Sequence, residues 1–346
     1  HYSFKQAKYF NVKNVIILNT KKYFLWKKKF EKNKIKIFNS YRDLNKIIKK
    51  KLDYTINAIS GLDGLEPTIK IIKHTKKIAI ANKESIICGW NLIEKELEKN
   101  RTEFIPVDSE HFSIYSLINK TPNNQIKKII ITASGGPFLK KSIKSKVKIS
   151  DALNHPNWKM GKKISIDSAT LMNKVFEVIE AKKIFKLKYD KIQILINPNS
   201  YLHAVVIFNN GTIKLLVHET KMDIPIYNSI YSTSNYKLYK TKNLDLNKIN
   251  NLFLSKPDSK KFKSIDVLSM IPKKDSLFET ILITINDELV DMFLNKKIEF
   301  NHIAFYLVKI IKFKLFKKYY TVKPSSINQI LKVRNLTKEF LKKYFK

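Results

Sequence analysis

The chain has 346 residues, of which 44% are hydrophobic, which indicates a globular protein with room for two or three domains and excludes a disordered one. Its net charge of +38 comes almost entirely from lysine, since Arg42, Arg101 and Arg334 are the only arginines. No apolar run reaches the roughly 18 residues that span a bilayer. The single cysteine, Cys88, excludes a disulfide framework and fits a reducing compartment.

The positive charge has two interpretations. The lysines are spread over the whole chain among many asparagines and isoleucines, which is typical of a genome drifting towards A and T. The alternative is a real attraction for nucleic acid or for anionic substrates. Lysine cannot form the bidentate hydrogen bonds by which arginine recognises guanine, and the sequence has no basic motif interspersed with aromatic residues. We therefore expect no specific nucleic-acid partner and no membrane partner.

The first hundred residues alternate short apolar strand patterns with helical ones. Strands are predicted at 12–18, 35–38, 53–60 and 78–81, and helices at 3–10, 23–30, 41–50 and from Pro67 onward. This alternation predicts a parallel sheet with crossover helices, which binds ligands at the carboxyl ends of its strands. Gly61, Gly64 and a predicted turn at 82–85 fall at those ends. No G-x-G-x-x-G motif occurs in the sequence.

Two acidic residues follow the next predicted strand, at 104–107. Asp108 and Glu110 stand on an irregular strand end, where both carboxylates could point towards one hard cation. Magnesium and manganese prefer oxygen ligands and leave positions open for substrate and water. A D-x-E pair by itself more often binds no metal. It indicates a metal site only when other segments supply further ligands.

A further strand, at 129–132, leads into the paired glycines Gly135 and Gly136. Two glycines after a strand let backbone amides approach a phosphate or an oxyanion. Such turns are also common without any ligand, so both interpretations stay open at this point.

The segment 155–185 combines a loop with a helix. Its loop contains His155, Trp158 and Met160, which are unusual choices for solvent-exposed filler and could cover a ligand. We expect the helix to take Asp167 or Ser168 as its N-cap, because apolar residues then recur at helical spacing. The free N–H groups of its first turn, beside Ser168, would then form a phosphate seat.

Three polar residues of this helix project to one side. Asn173 and Glu177 are four residues apart, and Lys174 and Glu177 are three apart. The segment therefore offers an anion seat, a cation and a carboxylate. The alternative is a solvated helix face with an ion pair, which is the commoner meaning of this pattern.

The remaining chain predicts an antiparallel arrangement followed by helices. Strands are predicted at 192–196, 203–208 and 212–217, a turn at 209–211, and helices at 277–294, 302–316 and 327–345. The polar stretch at 231–261 is the best linker candidate. The fold class is therefore α/β, with an N-terminal parallel sheet, a central α+β region and a C-terminal helical region.

Five ordered motifs resemble the 1-deoxy-D-xylulose 5-phosphate reductoisomerase family, the second enzyme of the non-mevalonate isoprenoid pathway. They are AIANKESI at 79–86, PVDSEH at 106–111, TASGGPF at 132–138, HPNWKMGKKISIDSATLMNK at 155–174, and Glu177. The resemblance covers most of the chain, and its motifs lie at close to the family's spacing. It implies an oxidoreductase that depends on NADPH and on Mg²⁺ or Mn²⁺.

The resemblance also implies roles for individual residues. The metal would be held by Asp108, Glu110 and Glu177. Substrate would be bound by Lys83, Ser109, Glu110 and His155, and its phosphate by Ser134, Ser168, Asn173 and Lys174. Catalysis would involve Lys83, Glu110 and His155, and the flap over the substrate would contain His155, Trp158 and Met160. NADPH would touch Asn82, Glu84 and Gly161.

The implied reaction converts 1-deoxy-D-xylulose 5-phosphate to 2-C-methyl-D-erythritol 4-phosphate. The metal would chelate the substrate's carbonyl and hydroxyl oxygens as a Lewis acid while the carbon skeleton rearranges. The resulting aldehyde would accept hydride from NADPH. A homodimer in the bacterial cytoplasm is expected, or in a plastid where a targeting segment has been removed.

The resemblance divides the chain into domains. It implies an incomplete Rossmann-like NADPH-binding domain at 1–107, a catalytic domain at 108–231, a linker at 232–262 and a helical domain at 263–346. The family's G-S-T-G-S-I-G turn, which grips the NADPH pyrophosphate, has no counterpart here. Three explanations stay open: the sequence is a fragment, its natural start lies upstream, or the protein has lost cofactor affinity.

Some motif positions depart from the family's pattern. Val175 stands where the family has glycine, and Met222 alone remains of its P-D-M motif, beside the expected nicotinamide. The family's H-P-Q-S becomes N-P-N-S at 197–200, and 286–288 matches only loosely. Val175 would place a branched side chain near the predicted phosphate seat.

Overall fold

A computed structural model describes residues 2–118, 121–140, 146–231 and 244–346. Part of the predicted linker, 232–243, lies outside the described residues. The described strands are β1 (Asn14–Ile16), β2 (Lys36–Phe38), β3 (Leu52–Asn57), β4 (Thr75–Ile80), β5 (Glu103–Pro106), β6 (Ile126–Ala133), β7 (Ile192–Ile196), β8 (Leu202–Phe208) and β9 (Ile213–Val217).

Helices connect these strands and make up the C-terminal part. Those before the C-terminal region are α1 (Tyr2–Tyr9), α2 (Thr20–Lys32), α3 (Leu44–Ile47), α4 (Leu65–Ile72), α5 (Lys83–Asn100), α6 (Ser109–Ile118), α7 (Ile149–Leu153), α8 (Lys162–Ala169), α9 (Met172–Ile184), α10 (Asp223–Ile230) and α11 (Leu246–Asn250). The C-terminal ones are α12 (Phe278–Leu294), α13 (Phe300–Ile310), α14 (Lys314–Lys317) and α15 (Ile327–Tyr344). None of these described helices is long and apolar enough to cross a membrane.

The N-terminal region is parallel, as the alternating pattern predicts. Strands β3, β4 and β5 form one parallel sheet in that order, and β1 pairs with β2 in a second one. Helices α4 and α5 make the crossovers, and buried Ile78 and Ile80 anchor the central strand. Because all three strands run the same way, Asn57 at the end of β3 lies at the same edge of the sheet as Asn82 and Asp108, which follow β4 and β5.

The central sheet is mixed, in the order β7-β6-β8-β9. Its β6 and β7 are parallel, whereas β8 is antiparallel to both β6 and β9. Helix α9 covers one face through Val178 and Ala181, which pack with the buried strand residues together with Phe185 just after the helix. Strand β9 is an edge strand, and its Ile213 and Leu215 are exposed.

The helix predicted to start at Asp167 or Ser168 is in fact two helices. Asp167 and Ser168 lie in the last turn of α8, and α9 begins only at Met172. The break falls at Leu171, which is buried in the left-handed conformation with a φ of 61°. The prediction was wrong because leucine rarely adopts this conformation, which here is imposed by packing that a local pattern does not contain.

The largest hydrophobic cluster joins the N-terminal and C-terminal parts of the chain. Helix α12 is buried along most of its length, through residues such as Phe278, Ile281 and Leu289. It packs in the same cluster as Ile87 of α5 and Phe176 of α9. The helices that carry Lys83 and Glu177 are therefore held from behind by one continuous core.

Candidate active site

Three carboxylates from two distant segments converge, as the sequence predicts. Oxygen atoms of Asp108, Glu110 and Glu177 all lie within 4.8 Å of one another. Asp108 follows β5 and caps α6, since its Oδ1 accepts from the backbone N–H of Glu110 at 3.1 Å. Glu110 thus stands in the first turn of a helix and not on the irregular strand end that the sequence analysis expected. Because α9 passes this helix start, its second turn presents Glu177 to both residues.

Two lysines neutralise part of this group. The Lys174 Nζ lies 2.7 Å from Glu110 Oε1 and 2.7 Å from Glu177 Oε2. The Lys83 Nζ lies 2.8 Å from Asp108 Oδ2. Lys174 and Glu177 are both buried, so the alternative of a solvated helix face is wrong.

The charges shift the proton affinities of the group in opposite directions. Burial, together with the charge of Glu110, raises the pKa of Glu177 to about 8. Burial alone would raise the pKa of Asp108, but Lys83 and His111 hold it well below its usual range. Burial likewise opposes the charge on Lys174, yet Glu110 and Glu177 raise its pKa above the ordinary value. The acids therefore attract more positive charge than the neighbouring lysines supply.

Two further residues of the site had no role in the sequence analysis. His111 is buried, with Nδ1 3.0 Å from Asp108 Oδ1 and Nε2 3.0 Å from the backbone oxygen of Glu177. Glu180 is buried one turn after Glu177, 3.7 Å from Lys83 Nζ, and its Oε2 has no hydrogen-bond partner among the described residues. The helical spacings Asp108–His111 and Glu177–Glu180 are the signals that could have found them.

His155 faces the predicted phosphate seat as a neutral imidazole. Its Nδ1 accepts from the backbone N–H groups of Asn157 and Trp158, at 3.1 and 3.0 Å. Its proton is therefore on Nε2, which donates to Ser134 Oγ at 2.9 Å. Burial, with a smaller contribution from Lys174, lowers the pKa of His155 to about 4.

The glycine turn brings the two predicted phosphate-binding serines together. Gly135 and Gly136 have φ angles of 82° and 64°, which allow the turn after β6 to bend towards α8. A Cβ on Gly136 would lie 2.9 Å from the backbone oxygen of Ser168. Only a glycine at 136 permits this close approach of the turn to α8, and Ser134 and Ser168 line the same cavity.

A cavity of about 210 Å³ unites these groups. Among the residues predicted from sequence, the following line it: Lys83, Asp108, Ser109, Glu110, Ser134, His155, Trp158, Met160, Ser168, Asn173, Lys174 and Glu177. Sequence reasoning gave no role to two other lining residues, Ser200 and His203. Met222 also lines the cavity, and its expected position beside the nicotinamide stays a prediction, whereas Val175 is buried in the core.

The loop over the cavity is anchored at its base. Asn157 Nδ2 donates to Ser200 Oγ and to the Pro198 backbone oxygen, both at 2.8 Å. The segment 197–200, which departs from the family's motif, therefore still holds the loop that carries Trp158 and Met160. Since these two side chains border the cavity, the loop is placed to cover a ligand.

The three predicted cofactor residues lie outside this cavity. Asn82 caps α5, so 83–85 form the first helical turn and not the loop turn expected from sequence. Its side chain accepts from the Ser85 N–H at 2.6 Å and donates to the Gly61 backbone oxygen at 2.7 Å. Glu84 pairs with Lys163 at 2.9 Å. Gly161 precedes α8 with open space around its Cα, and its predicted role stays a prediction.

Lys163 links Glu84 to the C-terminal helices. Its Nζ also lies 3.1 Å from both Asp167 and Asp287. Burial is the main reason that the pKa of Asp287 is raised to about 6. The loosely matching triplet at 286–288 thus contributes to a buried ion group that joins α5, α8 and α12.

A parallel α/β sheet, three converging carboxylates and a covered polar cavity together define a metal-binding α/β enzyme. Three family models match the chain. One, described as 1-deoxy-D-xylulose 5-phosphate reductoisomerase, matches residues 1–89, and its C-terminal domain matches 104–185. The DXP reductoisomerase C-terminal domain matches 218–340.

Curated relatives agree over nearly the whole chain. The 1-deoxy-D-xylulose 5-phosphate reductoisomerase of Pelagibacter ubique (strain HTCC1062) is 56% identical over 330 residues, 94% of this chain and 85% of that protein. The enzyme of the same name from Thermoanaerobacter sp. (strain X514) is 36% identical, over 99% of this chain and 89% of that protein. The chain belongs to the 1-deoxy-D-xylulose 5-phosphate reductoisomerase family.

Solved structures of the family share the fold. The reductoisomerase of Zymomonas mobilis in complex with NADPH superposes with a TM-score of 0.84 at 29% identity, covering 96% of this chain and 86% of that one. A DOX-P reductoisomerase in complex with NADPH, fosmidomycin and magnesium gives 0.89 at 29% identity, covering 99% and 88%. The expected fold class is confirmed.

Proposed function

We propose that the chain converts 1-deoxy-D-xylulose 5-phosphate to 2-C-methyl-D-erythritol 4-phosphate, using NADPH and a divalent metal ion. Membership of the family supports the reaction, and the complexes of its structural relatives with NADPH and magnesium support the cofactors. The observation that carries the proposal is the meeting of Asp108, Glu110 and Glu177 beside a cavity lined by phosphate-binding side chains.

The three carboxylates fit a divalent metal ion. They offer only oxygen ligands, which Mg²⁺ and Mn²⁺ prefer, and their spacing within 4.8 Å suits one shared ion. When bound, the ion supplies Lewis acidity to the oxygens of the substrate. Ser109 supports this arrangement, since its Oγ donates to Glu110 Oε2 at 2.6 Å and so orients that carboxylate.

The substrate's phosphate is assigned to the other end of the cavity. Ser134 and Ser168 supply hydroxyl donors and Asn173 an amide, and the N–H on Nε2 of His155 orients the Ser134 hydroxyl. The ammonium group of Lys174 lies against Glu110 and Glu177, the same acids that would hold the metal ion, so a bound metal would compete with it for their oxygens. We therefore assign it an exchange from the carboxylates to the phosphate as substrate binds.

We assign the dinucleotide to the carboxyl edge of the parallel sheet and the start of α8. Gly61 and Gly161 have no atom within 4 Å of where a Cβ would be, so a ligand can approach the backbone there. When bound there, NADPH would supply the hydride for the reduction. Trp158 and Met160 close the cavity above and limit the entry of water. Lys83, held by Asp108 and Glu180, stabilises negative charge on the substrate oxygens.

A direct assay tests the proposal. The protein with 1-deoxy-D-xylulose 5-phosphate, NADPH and Mn²⁺ is expected to consume NADPH, measured as loss of nicotinamide absorbance, and to form 2-C-methyl-D-erythritol 4-phosphate. EDTA should stop the reaction and excess Mn²⁺ should restore it. Absence of product at saturating metal and cofactor would refute the function. A separate NADPH titration tests the loss of cofactor affinity that the sequence analysis left open.

A homodimer is proposed from the edge of the central sheet. Among the described strands, β9 has one unpaired edge, and Leu215 is exposed beside Ile213. Sedimentation velocity should show a dimer that Leu215→Glu weakens, whereas Phe305→Glu, at an exposed apolar position on α13, should not. A monomer at micromolar concentration would refute it. A cytoplasmic location is proposed because the relatives are bacterial proteins.

A further inference from the structure

Two stacked histidines lie beside the cavity. The imidazole rings of His203 on β8 and His218 after β9 have centroids 3.6 Å apart and planes inclined by 14°. Both residues are buried, and His203 lines the cavity. Because the planes are nearly parallel and in contact, neither ring can tilt without displacing the other.

The stack continues on both sides. Trp158 of the covering loop meets His203 edge to face at 6.2 Å, and Phe112 of α6 meets His218 in the same way at 6.5 Å. Phe112 lies two residues after Glu110. Four rings therefore form a column from the covering loop to the helix that carries a predicted metal ligand.

Hydrogen bonds fix which nitrogen of His203 carries the proton. Its Nε2 lies 3.1 Å from the backbone oxygen of His218, and a carbonyl oxygen can only accept. Nε2 is therefore protonated, and Nδ1 of the neutral ring keeps its lone pair. Burial and the neighbouring His218 hold the pKa of His203 well below its usual range, which agrees with a neutral ring.

The side chain of His218 contacts its neighbours mainly through the faces and edges of its ring. Its Nδ1 donates to the Glu219 backbone oxygen at 2.7 Å, which leaves Nε2 unprotonated. That Nε2 is buried and has no hydrogen-bond partner in the described part of the chain. Lys248 fixes the adjacent Glu219 at 3.1 Å. The side chain therefore contributes a flat surface under His203 more than a hydrogen-bond network.

We propose that His218 is a positioning residue, whose stacked ring holds His203 so that its Nδ1 accepts a hydrogen bond from a hydroxyl group of the substrate. The same stack supports the surface against which Trp158 closes. This assignment rests on the proposed function for the identity of the substrate. The stacked geometry and the protonation of Nε2 do not depend on it.

A matched pair of variants tests the stack. His218→Phe keeps a flat ring and loses both nitrogens, whereas His218→Leu keeps the bulk and loses the plane. We expect His218→Leu to lower kcat/KM for the substrate about tenfold, because small misplacements of a binding group are costly. His218→Phe should stay within about threefold of the native enzyme by the same argument. Melting temperatures of both variants identify any general loss of stability.

A spectroscopic measurement distinguishes a failure of the positioning role of His218 from a failure of the proposed enzymatic function. Long-range ¹H–¹⁵N spectra of the native protein should show His203 protonated on Nε2 and bare on Nδ1, and adding the sugar phosphate should shift Nδ1. Equal activity of the Leu and Phe variants, or a proton on Nδ1 of His203, would overturn the proposal. An inactive native protein with the expected tautomer would instead count against the proposed function, and an unshifted Nδ1 in an active enzyme would overturn the positioning role.

Discussion

Helix α9 carries two buried groups of charged residues, and they differ in charge balance. Near its start, Lys174 and Glu177 join Asp108 and Glu110. Near its end, Lys182 and Lys183 pair with Asp275, and Lys183 also pairs with Glu279 of α12.

The second group is balanced among the described residues, with two lysines facing two acids. Glu279 is further satisfied by the N–H and hydroxyl groups of Ser276, at 3.1 and 3.0 Å. In the first group, with Glu180 included, four described acids face three cations, since His111 joins Lys83 and Lys174. Burial opposes the charge on His111, but Glu180 and Asp108 raise its pKa to about 9. A balanced buried group fastens two helices together, whereas an unbalanced one beside a cavity retains affinity for a further cation.

The largest expected effect comes from removing one acid of the unbalanced group. Glu177→Gln should lower turnover about a thousandfold or more, because the loss of a metal ligand removes several kcal/mol of transition-state stabilisation. Mn²⁺ affinity, measured by calorimetry, should fall with it. The free energy of unfolding should not fall. The raised pKa of Glu177 shows that its charged form is disfavoured in the folded protein, and Gln removes that charge. Full activity in this variant would refute the metal assignment.

The corresponding change in the balanced group should act on stability. Glu279→Gln leaves Lys183 buried with only Asp275, and we expect a loss of about 3 kcal/mol in the free energy of unfolding. Urea unfolding measures this loss. Turnover per folded molecule should stay near the native value. If Glu279→Gln abolished activity without destabilising the fold, it would be wrong to assign the balanced group to stability and the unbalanced group to cation binding.

A lysine from each group sharpens the comparison. Lys174→Gln should weaken binding of the substrate about tenfold to a hundredfold, because a charge-assisted hydrogen bond to phosphate contributes roughly 1.5–3 kcal/mol. Lys183→Gln should leave the KM unchanged and lower the melting temperature. Steady-state kinetics and thermal unfolding on both variants decide the matter. An unchanged KM in Lys174→Gln would remove the proposed exchange of this lysine to the phosphate.

The sequence could predict much of the site, because its parts follow from local rules. An acid that follows a strand of a parallel sheet lies at the carboxyl edge of that sheet, which located Asp108. Polar residues three or four apart lie on the same face of a helix, which located Glu177. The break at Leu171 could not be predicted, because a buried leucine adopts the left-handed conformation only under tertiary packing. The stack of His203 on His218 depends on an irregular register between β8 and β9, which no local pattern encodes. Asn82, by contrast, was a recognisable helix cap that the expected turn overlooked.

The smallest expected effect is a pH dependence of the balanced group. Burial would raise the pKa of Asp275, but Lys183 and Lys182 lower it below its ordinary value. A carboxyl group whose pKa is lower in the folded state stabilises the fold above its unfolded-state pKa of about 4 and loses that contribution as the pH falls further. The native protein should therefore lose stability relative to Asp275→Asn between about pH 4 and pH 2, measured as the difference between their urea midpoints. Since the variant carries every other acid, the difference isolates Asp275, and parallel curves for the two proteins would show that its ion pairs contribute nothing to the junction of α9 with α12.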